Sequence, residues 1–174
     1  AETSDTTNVL TIGTGYTDTA GNAGTAGTSA NYIIDGVDPT VSSITNSDVD
    51  LLSGQTSTLT IVFSEAVAAF ASGDDVTCPA GSLATMTSGD SITWAGVFTP
   101  TADTEDAVNT CDVATSYTDT AGNAGPAGSS ANYVVETLAP SASSITMSDV
   151  ALKAGDTATL TIVFSETVAA FASN

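Results

Sequence analysis

The chain has 174 residues, a formal net charge of −19, one basic side chain (Lys153), no histidine, two cysteines and 41% hydrophobic residues. A surface this acidic repels nucleic acid and anionic lipid, and a chain without histidine has no Ser/His or Cys/His nucleophile pair and no His-ligated zinc. Runs such as Leu59–Phe63 and Ile92–Trp94 supply a core, and no stretch reaches the ~18 apolar residues of a membrane span, so neither disorder nor membrane insertion is expected.

The first motif in chain order, Tyr16-Thr-Asp-Thr-Ala-Gly-Asn-Ala-Gly24, returns 101 residues later as Tyr117–Gly125. Leu59-Thr-Ile-Val-Phe-Ser-Glu65 returns at the same spacing as Leu160–Glu166, and residues 1–73 superpose on 102–174 without insertion, with about three positions in five identical. A period near 100 residues is too long for a solenoid unit and fits a whole sandwich domain. Turn-rich, Pro-containing stretches at Asp35–Pro39 and Glu136–Pro140 mark the boundaries. The organisation read from these is residues 1–36 as the C-terminal part of one repeat, 37–137 as a complete repeat and 138–174 as the N-terminal part of the next. The two partial repeats lack any counterpart of 74–101, so between molecules they are not expected to form a full domain. Both are expected to continue in a longer polypeptide.

Within 37–137 the apolar pattern has period two. Val41 and Ile44 predict a first short strand, and Ser57–Phe63 alternates Leu59, Ile61 and Phe63 against Thr58, Thr60 and Val62. The stretch 66–71 is short enough for at most one helical turn. Strands are predicted over Val76–Cys78, Leu83–Met86, Ser91–Phe98, Thr110–Tyr117 and Ala131–Val135, with Ile92, Trp94 and Phe98 sharing a face. About seven short strands between Gly, Asp, Ser and Pro turns give an all-β, tandem immunoglobulin-like sandwich.

Cys78 and Cys111 both fall in the complete repeat, and Leu10 holds the place of Cys111 one period earlier. A disulfide is the expected state, with two buried thiols as the alternative. No catalytic constellation emerges, and an enzyme is not expected. Lys153 has Leu52 as its counterpart, so a lysine-dependent isopeptide bond is not a general feature of the array.

Closely spaced carboxylates attract hard cations, and calcium takes six to eight oxygen ligands. In a sandwich of this type the Asp119–Asn123 loop, the segment after the second strand carrying Glu65, and the incoming linker with Asp35 and Asp38 all fall at one end. Asp35, Asp38, Glu65, Asp119 and Asn123 are therefore candidate Ca2+ ligands between repeats. Asp18 and Asn22 repeat the loop, and Glu136 and Glu166 occupy the second junction, where Ala139 stands in place of Asp38. The alternative for Asp-Thr-Ala-Gly-Asn is a tight turn in which Asp accepts backbone hydrogen bonds.

Taken together, Phe63-Ser-Glu-x-Val-x-x-Phe70 with its copy Phe164–Phe171, Ile92-Thr-Trp-x-x-x-Phe-Thr-Pro100, Tyr-Thr-Asp-Thr-Ala-Gly-Asn and the Pro-containing linkers resemble the bacterial Ig-like repeats of very large secreted adhesins. The resemblance implies a cell-surface stalk of many repeats, stiffened by calcium between domains, in adhesion or biofilm formation. Its partners would be neighbouring repeats of the same chain. Two other readings are open: a self-assembling extracellular filament with identical chains as partners, and a carbohydrate-binding module. The last requires exposed aromatics, and Trp94, the one tryptophan, alternates with Ile92 as a core residue would.

Overall fold

The computed structural model of the chain describes residues 3–172. The first segment holds β1 (Ser4–Asn8), β2 (Thr11–Ile12), β3 (Gly27–Thr28) and β4 (Tyr32–Asp35); β1 pairs with β4 and β2 with β3, both antiparallel. The middle of the chain forms β5 (Val41–Asn46), β6 (Asp50–Leu52), β7 (Ser57–Phe63), one helical turn α1 (Ser72–Asp75), β8 (Val76–Thr77), β9 (Gly81–Leu83) and β10 (Thr93–Pro100). It continues with β11 (Glu105–Asn109), β12 (Asp112–Val113), β13 (Gly128–Ser129) and β14 (Tyr133–Glu136). A final antiparallel pair, β15 (Ala142–Met147) and β16 (Leu160–Phe164), follows.

In the middle unit one sheet runs β5-β7-β10-β9, and the other wall is built from β11-β14-β6 and β13-β12-β8. The alternation in β7 decides the packing: Leu59, Ile61 and Phe63 are buried, while Thr58 is exposed and Thr60 and Val62 are only partly covered. Tyr117, Tyr133, Val113 and Val135 meet them from the other wall, with Phe63 and Tyr117 rings 4.8 Å apart and Phe98 and Tyr133 rings 5.2 Å apart. Such non-local apolar contacts, rather than local propensity, hold short strands in place. Cys78 and Cys111 form a disulfide that ties the end of β8 to the start of β12, as the cysteine count anticipated.

Three details differ from the sequence reading. The helical turn lies at Ser72–Asp75 and not over 66–71. Val67 N–H donates to the Ser91 carbonyl and Ala68 N–H to the Thr118 carbonyl, and Val67 and Phe70 both turn into the core, which holds 67–70 in irregular backbone. Strands β6, β11 and β13 were not anticipated. Strand β6 carries a single buried residue, Leu51, and exists because β14 pairs with it in parallel, a partner more than 80 residues away that local pattern does not reveal. Strand β10 begins at Thr93 because Ser91, at φ 59°, turns the chain immediately before it. Trp94 is half-buried and packs edge-on against Phe70 at 4.9 Å, so it offers no flat exposed platform for a sugar.

Candidate metal centre

The site is assembled from three separated segments. Asp119 opens the first, a loop closed by its own N–H donating to the Asn123 carbonyl at 3.0 Å, with Gly122 at φ 95° making the turn. Asp119 Oδ1 accepts the backbone N–H groups of Ala121, Gly122 and Asn123 at 2.7–2.9 Å, and Asn123 Nδ2 donates to Asp119 Oδ2 at 2.8 Å. Burial pushes the buried Asp119 carboxyl upward, but the Asn123 amide and these backbone donors outweigh it and hold the group below its ordinary value. The tight-turn reading and the ligand reading of this loop are therefore compatible: the hydrogen bonds fix a carboxylate that stays ionised.

Glu65 lies two residues past the end of β7. Its position is set by Ser64, whose N–H donates to the Thr40 carbonyl and whose Oγ accepts the Thr40 N–H, both at 2.8 Å. This clamp binds the incoming linker to the sandwich, and buried Pro39 packs beside it. Asp35 ends β4 and enters the site from the preceding segment. Its backbone carbonyl accepts a second hydrogen bond from Asn123 Nδ2, at 3.1 Å.

Asp35, Glu65 and Asp119 each bring a carboxylate oxygen to within 4.8 Å of the others. Burial raises the Glu65 carboxyl above its ordinary value, and the charges of Asp35, Asp119 and Asp38 raise it further. Asp38 is exposed and acts at the rim. The chain's single basic side chain is Lys153, so three converging carboxylates have almost nothing within the chain to neutralise them. A divalent cation would do this with the oxygen donors such a site offers: carboxylates, an Asn side chain and backbone carbonyls.

The other candidates are placed differently. Asp18 and Asn22 reproduce the loop, with Asp18 Oδ1 accepting the Ala20 and Asn22 N–H groups and Asn22 Nδ2 donating to Oδ2 at 2.6 Å. Asn22 holds the Asp18 carboxyl below its ordinary value, yet the loop is exposed. At the second junction Glu136 Oε1 accepts the Leu138 N–H at 3.0 Å, and Glu166 is half-buried with Oε1 unpartnered. Among the described residues neither the loop nor the second junction belongs to a group of three carboxylates. Sequence reasoning missed the Ser64 clamp. Its sequence signal was the recurrence of Ser64 as Ser165 and of the hydroxyl residue Thr40 as Ser141 one period later, and that second pair makes the same two bonds.

No curated protein and no solved structure is matched by this chain. A family model described as "Bacterial Ig-like domain" matches residues 35–135, which span the sandwich, its disulfide and the three segments of the site. The chain belongs to the bacterial Ig-like domain family.

Proposed function

We propose that the chain is a structural segment of an extracellular stalk in which calcium, held by Asp35, Glu65 and Asp119, locks one Ig-like unit to the next in adhesion or biofilm formation. The observation that carries this reading is the convergence of those three carboxylates, one from the preceding segment and two from the sandwich, without a basic partner among them. An ion there would bridge two units that otherwise meet through a short linker. The repulsion that raises the Glu65 carboxyl would become attraction to the metal. Asp38 stands at the rim and would add charge, and the Asn123 side chain would keep the Asp35 strand end aligned with the loop.

The extracellular assignment draws support from the family, whose members are commonly extracellular, and from a disulfide inside the sandwich. The test combines isothermal titration with calcium and small-angle scattering in calcium and in chelator. Stoichiometric binding, accompanied by a longer, narrower particle in calcium, is the expected result. An absence of calcium binding together with identical scattering in both buffers refutes the reading.

A further inference from the structure

The acids of the middle unit are divided unequally between its two walls. In a chain with 20 carboxylates, not one residue of β5, β7, β9 or β10 is charged. The opposite wall carries Glu105 and Asp106 on β11, Asp112 on β12, Glu136 on β14 and Asp50 on β6, with Glu105, Asp112 and Asp50 exposed. The acids that flank the neutral sheet are turned to their own loops or to its end. Asp48 Oδ1 accepts the Asp50 N–H, Asp90 Oδ1 accepts those of Ile92 and Thr93, and Glu65 belongs to the metal end.

The outer side of this sheet is a lattice of short side chains. Ser43, Val62 and Thr93 stand opposite one another across β5, β7 and β10. Thr45, Thr60 and Ala95 form the next row, which Thr87 extends by a bridge to Ala95. Val97, 46% exposed, stands opposite Thr58. Short and β-branched side chains lose little rotamer freedom on contact, and every hydroxyl is both donor and acceptor, so a surface built from them is complementary to itself. The rows recur one period on: Ser144 opposes Val163 and Thr146 opposes Thr161, in two strands that again carry no charge.

We propose that the outer face of β5-β7-β10-β9 is where a second copy of this chain packs side by side with the first, neutral sheet against neutral sheet. Charge selects the occupant. A basic partner is drawn to the acidic wall, which leaves the neutral sheet to a partner that itself offers an uncharged face. Two chains of net charge −19 repel where their acidic walls meet, and this sheet lets them approach without setting carboxylate against carboxylate. The same patch on both copies makes the contact two-fold and closed. Four strands about 4.8 Å apart and about six residues long give a face of roughly 20 Å by 20 Å, at the small end of specific interfaces. One unit therefore pairs weakly, and a chain that presents the face once per period gains by multivalency.

Sedimentation equilibrium of the full chain in chelator tests this without involving calcium, so its outcome is distinct from that of the cation titration. The expected result is a monomer–dimer equilibrium that moves toward dimer with concentration. It also moves toward dimer as salt rises from about 20 mM to about 500 mM, because salt screens the remaining repulsion between copies. Thr60→Asp and, on the neighbouring strand, Val97→Asp each place an unpaired carboxylate within the face of both copies, and each variant is expected to sediment as a monomer at either salt. Both side chains point away from the core, and an unchanged thermal transition confirms folding. Asp112→Asn, on the opposite wall, should leave the dimer in place. A parent chain that stays monomeric at every concentration and salt, folded Thr60→Asp and Val97→Asp variants that still dimerise, or an Asp112→Asn variant that loses the dimer overturns the proposal.

Discussion

The side-chain amide of Asn123 reaches the backbone carbonyl of Asp35, 88 residues earlier, while the same nitrogen donates to Asp119 Oδ2. One residue thus links the loop that fixes the buried Asp119 carboxylate to the strand end that delivers the half-buried Asp35. The Ser64–Thr40 clamp holds the end of the linker against the sandwich beside this bond.

Asn123→Ala should therefore loosen the junction as well as the loop. The expected loss is about 1–2 kcal/mol of stability by chemical denaturation, the range for removing a hydrogen-bonding side chain at a partly buried site. Calcium affinity in the titration should fall by roughly tenfold, the size reported for disturbing groups that orient metal ligands.

The junction should respond to pH in two opposite limbs. The Glu65 carboxyl is raised above its ordinary 4.5, so the folded state holds that proton more tightly than the unfolded chain. In chelator, stability should rise as pH falls from neutral through this raised value, and decline as pH rises back through it. Asp119 is held below its ordinary 3.8, so its contribution is present above that value and is lost as pH falls further, through the folded pKa. Thermal midpoints across acid pH should show the rise and then the fall. Glu65→Gln should raise the midpoint at neutral pH in chelator, flatten the first limb and weaken calcium binding.

Removing the disulfide should destabilise the sandwich by about 3–4 kcal/mol, given a separation of 33 residues. Leu10 occupies the position of Cys111 one period earlier, so the double variant Cys78→Ala, Cys111→Leu should keep more stability than Cys78→Ser, Cys111→Ser. Urea denaturation of the two variants makes the comparison, and equal losses would show that apolar packing at Cys111 contributes little.

Gly125 lies under the Tyr117 ring, where an added Cβ would come within 2.2 Å of ring atoms. Gly125→Ala should cost about 1–3 kcal/mol, the range for overpacking a core, because Tyr117 is fully buried and cannot move away. Gly24→Ala makes the same approach to Tyr16, which is half-exposed. The thermal transition should register the first substitution far more than the second.

The sequence by itself determined the period of 101 residues, the all-β pattern and the inward face of β7, and it made a disulfide the expected state of the two cysteines. Each rests on something local or countable: alternation along one strand, spacing between identical motifs, a composition with two thiols. It also placed Asp35, Glu65 and Asp119 at one end, because the end at which a loop emerges follows from strand order. Only the tertiary structure decided which carboxylates meet. Asp18 and Asp119 stand in identical motifs and share the hydrogen bonds from the second and fourth residues after them, yet Asp119 is buried among other acids and Asp18 is exposed. The same holds for Leu51 in β6 and for the helical turn at Ser72, both set by partners distant in sequence. The difference is physical: a motif specifies its own backbone, while burial, charge repulsion and parallel pairing depend on what the rest of the chain brings to it.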